Sequence, residues 1–413
     1  MPKKSQNHLQ NISRKKKFFI CTFGCQMNEY DSQCIAGQFL KQGFIETKII
    51  ENADIIIFNT CSVREHAKDR FYRNLFPTSL LKAKKSELIV GVCGCIAEQE
   101  GYKIFDKFPW VRLIAGPGNI ACIGDFIKRI IKNGSRIIEV GSFEKTKCDD
   151  IDRNKDKTAL VTIIRGCDNF CSYCVVPFVR GRETSRLKLE IIEEIKKVAK
   201  QGYKEVMLLG QNVCAYKDRQ QVDKLTSRQV DKKVNERRAT GDGRRSKNDF
   251  AELLTEVSKI NGIERIKFMT SHPRDFDKEL VNVVAELPKV AKEFHLPVQS
   301  GSDKILKEMN RGYTKKYYID LLMSIRQKMP QARITTDIIV GFPGETEEDF
   351  KDTLDLIEKV KFDGAFMFKY SDRPNTKAEK KNNKISEGAK EQRLKVLQER
   401  IDKGIKDINE LTG

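Results

Sequence analysis

The chain has 413 residues, of which 77 are lysine or arginine and 58 are aspartate or glutamate, giving a formal net charge of +19 at pH 7. This excess suits binding to phosphate backbones, so we expect a nucleic acid partner and no membrane partner. The basic start of the chain, residues 1–17, has no apolar signal segment, and the twelve cysteines are spread widely. We therefore expect a cytoplasmic protein whose thiols hold metals rather than disulfides.

Three cysteines of the N-terminal region, within a predicted domain at 17–145, each follow an apolar run that predicts a strand. The cysteines are Cys25, Cys61 and Cys95, and the runs cover 18–22, 55–58 and 88–92. Helix-like stretches separate the runs, at 29–42 and 63–84. The alternation predicts an open parallel α/β sheet, in which ligands bind beyond the carboxyl ends of the strands. The three cysteines should therefore converge into a three-cysteine site.

The other cysteines outside clear motifs are predicted to pack as small hydrophobic residues. They lie in apolar runs or lack the context of a strand end flanked by glycine: Cys21, Cys34, Cys93, Cys122, Cys148 and Cys214. Cys93 is a rival to Cys95, because one strand-period step separates them and both point to the same side. Periodicity favours Cys95 and leaves Cys93 open.

A second set of cysteines, Cys167, Cys171 and Cys174, forms a C-x3-C-x2-C loop. A four-iron cluster takes one ligand per iron, so this loop leaves one iron open to a substrate or cofactor. Zinc sites are usually closed by four ligands from C-x2-C pairs or histidines, and this loop has no second pair and no histidine. The spacing favours an iron–sulfur cluster.

Apolar runs recur in the segment after Lys155, with amphipathic helices between them, and the Cys167 loop follows the first run. The six runs are Ala159–Ile164, Glu205–Leu209, Ile263–Met269, Phe294–Val298, Ile334–Val340 and Ala365–Tyr370. One of these helices is predicted over 189–201 and ends before Gly202. Thr346 and Asp349 form a capping box that predicts the start of the helix in the next-to-last unit. These six β/α units predict a partial (β/α)6 barrel at 153–385, with its site at the C-terminal ends of the strands. A final helix at 386–413 follows.

One stretch, 217–248, has the character of an insertion. It lacks apolar periodicity and contains a short repeat, Gln221-Val-Asp-Lys224 and Gln229-Val-Asp-Lys232. It supplies about a third of the net positive charge. By composition we predict a disordered basic loop.

Several motifs together resemble the methylthiotransferase family of radical S-adenosylmethionine (SAM) enzymes, and most closely the members that modify isopentenyladenosine in tRNA. The match runs from about Lys17 to Leu397. The motifs are Thr22–Ser32 (TFGCQMNEYDS), Asn59–Glu65 (NTCSVRE), Gly166–Cys174, Val176–Glu183 (VPFVRGRE), Leu208–Asn212 (LLGQN), Thr270–Pro273 (TSHP), His295–Gly301 (HLPVQSG) and Ile339–Glu345 (IVGFPGE). The family's third upstream ligand lies in a Gly-Cys motif, which matches Gly94-Cys95 and favours Cys95 over Cys93.

The resemblance implies a transferase that adds a methylthio group to C2 of N6-isopentenyladenosine beside the tRNA anticodon. It implies two 4Fe-4S clusters and two SAM molecules per product. Cys167, Cys171 and Cys174 would hold the cluster that binds and cleaves SAM, and Cys25, Cys61 and Cys95 would hold the cluster that carries the sulfur. It also implies a reductant protein such as flavodoxin or ferredoxin, and a tRNA anticodon stem-loop rather than DNA as partner.

Residues at the predicted strand ends are candidates for the cofactor pocket, because these ends face the barrel mouth. They are Tyr173, Gly210, Gln211, Asn212, Gln299, Ser300 and Ile339. Each is also compatible with a turn. Arginines just after the radical cluster are candidates for contact with a splayed tRNA base, namely Arg180, Arg182 and Arg186.

Two features depart from the family pattern. Family members usually continue past the final helix into a small β-barrel RNA-binding domain, which is expected to be absent here because the sequence ends at Gly413. Asn375 stands where the family tends to have glycine, and asparagine tolerates the left-handed backbone that this turn requires.

Three alternatives remain open at this stage. The nearest is a sister methylthiotransferase for threonylcarbamoyladenosine in tRNA or for an aspartate of a ribosomal protein, and Gly24-Cys-Gln-Met-Asn28 argues against both. The second is a non-catalytic iron–sulfur RNA-binding protein. The third is a zinc-binding RNA module, which would lack the visible absorbance of an iron–sulfur cluster.

Overall fold

The computed structural model describes residues 15–62, 65–142, 148, 150–153, 157–218 and 248–412, with side chains described except at 65, 66 and 405–412. Most of the predicted insertion at 217–248 therefore lies outside the described residues. The chain forms two compact units. Unit 1 comprises residues 1–155 together with 178–180, and unit 2 comprises residues 156–177 and 181–413.

Unit 1 is built on a six-stranded parallel sheet with the order β2-β1-β3-β4-β5-β6. Its strands are β1 (Lys17–Thr22), β2 (Ile45–Glu46), β3 (Ile55–Thr60), β4 (Ile89–Gly94), β5 (Val111–Ala115) and β6 (Ile137–Glu139). Its helices are α1 (Gln26–Lys41), α2 (Glu65–Leu75), α3 (Thr78–Lys84), α4 (Cys95–Glu100), α5 (Tyr102–Lys107) and α6 (Ile123–Asn133). The predicted open parallel α/β sheet is confirmed, with three more strands than the apolar runs indicated.

The central strands of unit 1 are apolar because helices cover both faces of the sheet. Every residue of β3 and of β4 is buried, as expected for parallel strands inside an α/β layer. The helix predicted over 63–84 is instead two helices, α2 and α3, with Pro77 between them. Proline lacks the amide hydrogen that would continue a helix, which explains the break.

Unit 2 contains the predicted parallel β/α units. Its strands are β7 (Thr158–Thr162), β8 (Ile164–Arg165), β9 (Thr184–Ser185), β10 (Glu205–Leu209), β11 (Arg265–Met269), β12 (Glu293–His295), β13 (Arg333–Val340) and β14 (Gly364–Lys369). Its helices are α7 (Val176–Arg180, whose last three residues group with unit 1), α8 (Lys188–Lys200), α9 (Asp249–Ser258), α10 (Lys278–Glu286), α11 (Asp303–Glu308), α12 (Lys315–Lys328), α13 (Glu347–Val360) and α14 (Glu387–Thr412).

The strands of unit 2 follow one another as in a partial barrel. β7, β10 and β11 pair in parallel, and β12, β13 and β14 pair in parallel. A parallel bridge between Ile266 of β11 and Val290, just before β12, joins the two sets. One continuous apolar core fills the space between these strands and the helices around them. This architecture confirms the partial (β/α)6 barrel.

Local signals in the sequence of unit 2 also appear in the structure. Gly202 follows α8 with a φ of +91°, the left-handed conformation that glycine adopts without strain. Thr346 and Asp349 form a reciprocal capping box at the start of α13. Asn375 has a φ of +67°, so asparagine holds the left-handed turn. Among the described residues, no helix is long and apolar enough to cross a membrane.

Candidate active site

The carboxyl ends of β1, β3 and β4 meet in unit 1, and two glycines permit their close approach. A Cβ atom on Gly24 would lie 2.5 Å from Cys61 Cβ. A Cβ atom on Gly94, whose φ is +87°, would lie 2.4 Å from the carbonyl oxygen of Thr60. The glycines that precede Cys25 and Cys95 therefore let both loops pack against the end of β3.

A buried hydrogen-bond network fixes these three strand ends. Asn28 Nδ2 donates to Asn59 Oδ1 at 3.0 Å and to the Thr60 carbonyl at 3.0 Å. Asn59 Nδ2 donates back to the Asn28 carbonyl at 2.8 Å. Thr60 Oγ1 donates to the Cys93 carbonyl at 2.6 Å. The network joins the start of α1 to β3 and β4, and so positions the cysteines that follow each strand.

The three predicted cysteines of unit 1 come together at this edge. Cys25 and Cys61 are hydrogen-bonded, and this contact is the largest cause of a pKa of Cys25 lowered to about 5. Cys95 begins α4 and is buried, and burial raises the pKa of its thiol despite the opposing charge of Arg180. Cys93 lies inside β4 and is fully buried, in agreement with a packing role.

Arg180 also belongs to this edge of unit 1. Its guanidinium is buried and forms an ion pair with Asp31, with Nη2 at 3.3 Å from Oδ2. The ionisable groups around it are Cys95, Asp31, Cys25 and Cys61. Sequence reasoning missed this placement, because the motif around Arg180 follows the other cysteine loop.

The second cysteine loop lies in unit 2, after β8. Gly166 opens it with a φ of +74°, and a Cβ atom there would lie 2.1 Å from the Arg182 carbonyl oxygen. Ser172 anchors the loop to the end of α11, because its amide donates to the Met309 carbonyl at 3.0 Å and its hydroxyl donates to the Glu308 carbonyl at 2.8 Å. Asn310 Nδ2 donates to two further carbonyls of the loop.

Arg311 is a buried cation beside the loop that sequence reasoning also missed. Its Nη1 lies 3.4 Å from Cys171 Sγ and 3.5 Å from the Tyr173 hydroxyl, and its Nη2 donates to the Pro297 carbonyl at 2.7 Å. Burial raises the pKa of Cys174 to about 12, with smaller effects from Cys171 and the other neighbours. Burial likewise raises the pKa of Cys167 to about 11. These thiols must lose protons when metal binds.

The residues predicted for the cofactor pocket do not all have side chains available to a ligand. Gly210 is required by packing, because a Cβ atom there would lie 2.2 Å from Ile164 Cγ2. The Ser300 hydroxyl is buried and accepts the Ser302 amide at 3.2 Å. Tyr173 and Ile339 pack together on a small apolar cluster. Gln299 adopts a φ of +74° and pairs with Ile338 through a parallel bridge at the end of β13.

Asn212 and His272 mark a polar site at the ends of β10 and β11. Asn212 Oδ1 accepts the His272 amide at 3.0 Å, and Asn212 Nδ2 donates to Asp275 Oδ2 at 2.6 Å. His272 Nδ1 accepts the Arg274 amide, which places the remaining ring proton on Nε2. Within the described part of the chain, the buried Nε2 has no hydrogen-bond partner, and neither has Oε1 of Gln211. Burial lowers the pKa of His272 to about 2, so its ring is neutral.

The three arginines predicted to contact tRNA differ in exposure. Arg182 is exposed over 75% of its side chain and pairs with Asp168 at 2.8 Å. Arg186 lies against the barrel, where it donates to the Thr162 carbonyl at 2.8 Å and pairs with Glu194. Arg180 is buried in unit 1. The guanidinium groups of Arg180 and Arg186 thus bind protein atoms in the structure, that of Arg182 is exposed, and contact of the three with tRNA stays a prediction.

Both cysteine sites fit an iron–sulfur cluster. None of the twelve cysteines forms a disulfide. In unit 1 the buried Nη1 of Arg180 and Oγ of Ser62 have no hydrogen-bond partner among the described residues, as expected of groups that face a further ligand. Across the described ranges, no three Cys, His, Asp or Glu side chains are grouped to hold a single metal ion. A four-iron cluster does not need such a group, because each of its irons takes only one thiolate from the protein.

Comparisons with known proteins agree with this arrangement. Residues 161–357 match the Radical SAM superfamily, and residues 17–116 match the family described as Uncharacterized protein family UPF0004. Structural likeness extends to the radical SAM methyltransferase TsrM from Kitasatospora setae, solved with cobalamin and a [4Fe-4S] cluster (TM-score 0.59, 12% identity, 89% of this chain and 74% of that chain). The cobalamin-dependent enzyme OxsB is also similar (TM-score 0.56, 13% identity, 94% and 56%). These likenesses show the radical SAM fold.

Sequence relatives define the family more narrowly. A tRNA-2-methylthio-N(6)-dimethylallyladenosine synthase from Clostridium perfringens is 44% identical over 401 residues, covering 96% of this chain and 84% of the relative. The synthase of the same name from Caldicellulosiruptor saccharolyticus is 45% identical, covering 95% and 79%. The chain belongs to this family of radical SAM methylthiotransferases. Its cofactors are two 4Fe-4S clusters and SAM.

Proposed function

We propose that this protein adds a methylthio group to C2 of N6-isopentenyladenosine beside the anticodon of tRNA. The observation that supports this proposal is the pair of three-cysteine sites, one in each unit, in a chain that is 44% identical to synthases named for this product. A cytoplasmic location and a flavodoxin or ferredoxin as reductant are part of the proposal.

The two cysteine sets have separate tasks. Cys167, Cys171 and Cys174 would hold the cluster that binds SAM, and Cys25, Cys61 and Cys95 would hold the cluster that carries the sulfur. When bound, these groups supply a 5′-deoxyadenosyl radical and a methylated sulfur, chemistry that side chains cannot provide. The protein supplies binding, orientation and exclusion of water.

Polar atoms at the strand ends of unit 2 orient the small molecules. His272 offers a neutral Nε2–H donor, and Gln211 offers a buried carbonyl oxygen, both without partners among the described residues. Asn212 holds His272 in place. Because a buried donor that lacks a partner costs about 1–3 kcal/mol, we propose that SAM or the adenine base satisfies Nε2 when bound.

Arg182 and Phe170 form the surface that we propose for the RNA. The guanidinium lies over the Phe170 ring at 5.4 Å from its centroid, and the ring is 37% exposed. Splayed bases of single-stranded RNA stack on aromatic rings and on arginine planes. Arg182 therefore remains the proposed contact of the three arginines.

The proposal is tested by anaerobic reconstitution with iron and sulfide, followed by reductant, SAM and tRNA that carries isopentenyladenosine. Nucleoside mass spectrometry should detect the 2-methylthio product in the wild type. The Cys25→Ala and Cys171→Ala variants should form none, whereas the matched control Cys122→Ala should retain activity. Cleavage of SAM without a modified nucleoside would refute the substrate assignment, and absence of SAM cleavage would refute the radical reaction.

A further inference from the structure

Arg180 is the most unusual charged residue of unit 1, because its side chain is only 5% exposed and the carboxylate of Asp31 is fully buried. A buried ion pair is stable only when further hydrogen bonds satisfy the remaining donors. The guanidinium has five N–H donors, and one carboxylate at 3.3 Å does not use them all. A further acceptor is therefore expected at this position.

The unsatisfied side of the guanidinium identifies this acceptor. Nη1 is buried and forms no hydrogen bond with the described residues. Cys25, Cys61 and Cys95 are the other ionisable neighbours of the group, and Cys95 is hydrogen-bonded to the guanidinium. Three thiolates and a bound sulfur anion would make this site strongly negative, and a buried guanidinium complements such a charge.

We propose that Arg180, held by Asp31, is a positioning residue that donates from Nη1 to the anionic sulfur carried at the site of Cys25, Cys61 and Cys95. The proposal rests on the function given above, because it assigns a residue that retains the sulfur to be transferred. Arg180 provides both a hydrogen-bond donor and a positive charge.

The test isolates this site by using the full chain with Cys167, Cys171 and Cys174 all replaced by alanine, so that only one cluster assembles. Arg180→Gln removes the charge, Arg180→Lys keeps the charge but loses the planar fork, and Arg182→Gln is the exposed control. Iron content, the midpoint potential followed by electron paramagnetic resonance, and retention of added isotope-labelled sulfide are measured for each variant.

Arg180→Gln is expected to retain labelled sulfide about tenfold less tightly, the size expected for one hydrogen bond to a charged group. Its midpoint potential should fall, because loss of a nearby positive charge disfavours the reduced cluster. Arg180→Lys should restore most of the potential and part of the sulfide retention. Arg182→Gln should match the parent in both readouts.

Unchanged sulfide retention and potential in Arg180→Gln would overturn the proposal. Equal loss of iron in the Lys and Gln variants, together with a lower unfolding midpoint reported by the fluorescence of Trp110, would assign Arg180 a purely structural role and would also overturn it. These readouts involve no tRNA. If the wild type fails to modify tRNA while these variants give the expected results, the proposed function is refuted and the assignment of Arg180 stands.

Discussion

Replacing Asn28 by alanine tests whether the buried network at the ends of β1, β3 and β4 holds unit 1 together. Asn28 is fully buried and donates to Asn59 Oδ1 and to the Thr60 carbonyl. Alanine leaves both acceptors buried without these donors. Each such loss costs about 1–3 kcal/mol, so we expect unit 1 to lose about 2–6 kcal/mol of its free energy of unfolding.

The assay uses the only tryptophan of the chain, Trp110. It follows α5 in unit 1, and its Nε1 donates to Thr78 Oγ1 at 2.9 Å. Its fluorescence during urea unfolding therefore reports on unit 1 alone. With a urea dependence of about 2 kcal/mol per molar, the expected loss lowers the midpoint by about 1–3 M.

The matched control is Asn52→Ala, because Asn52 is exposed and belongs to the same unit. Its midpoint should stay close to that of the wild type, since surface substitutions usually change stability by less than about 0.5 kcal/mol. A midpoint for Asn28→Ala no lower than that of the control would refute the reasoning that this network fixes the strand ends.

Three further results are expected. Gly94→Ala should abolish iron binding in unit 1, because it introduces both a left-handed strain and a clash with the backbone of β3, whereas Gly43→Ala, with a similar φ and open space, should bind iron normally. Because the pKa of His272 is lowered in the folded chain, only the unfolded chain binds a proton at this ring as the pH falls below about 6.5, and the free energy of unfolding decreases. Between about pH 6.5 and pH 5, His272→Gln should lose about 2 kcal/mol less of its free energy of unfolding than the wild type, as measured by denaturation followed by circular dichroism. Glu345→Gln should weaken the buried contact at 2.8 Å with Arg393 and increase amide hydrogen exchange in α14, and unchanged exchange would contradict this role.

The sequence was sufficient to predict the positions of the cysteines because each depends on local order. Cys25, Cys61 and Cys95 follow strands whose apolar runs are readable, and parallel strands must bring their carboxyl ends to one edge. The C-x3-C-x2-C loop contains its whole donor set within eight residues. The short strands β5 and β6 were missed, since an arginine interrupts the first and the second has only three residues.

Long-range partners explain what the sequence did not predict. Arg311 lies 140 positions from Cys171, and no local pattern connects them. Arginine is usually exposed, so the sequence suggests a surface position for Arg180. Its burial depends on the contact with Asp31, which is 149 positions away in the sequence. His272 belongs to a motif, but its role depends on Asn212, which follows the neighbouring strand β10. The burial and hydrogen bonding of single polar residues can therefore be predicted only once the fold is known.

Residues 178–180 belong to unit 1, so no single cut in the chain separates the two units. The chain leaves unit 2 after Pro177, contributes three residues to unit 1, and returns to unit 2 at Gly181. A fragment made only of residues 1–155 would lack Arg180 and its ion pair with Asp31. Exchange of modules between homologues must therefore transfer residues 178–180 together with the N-terminal module, or the buried ion pair within unit 1 is lost.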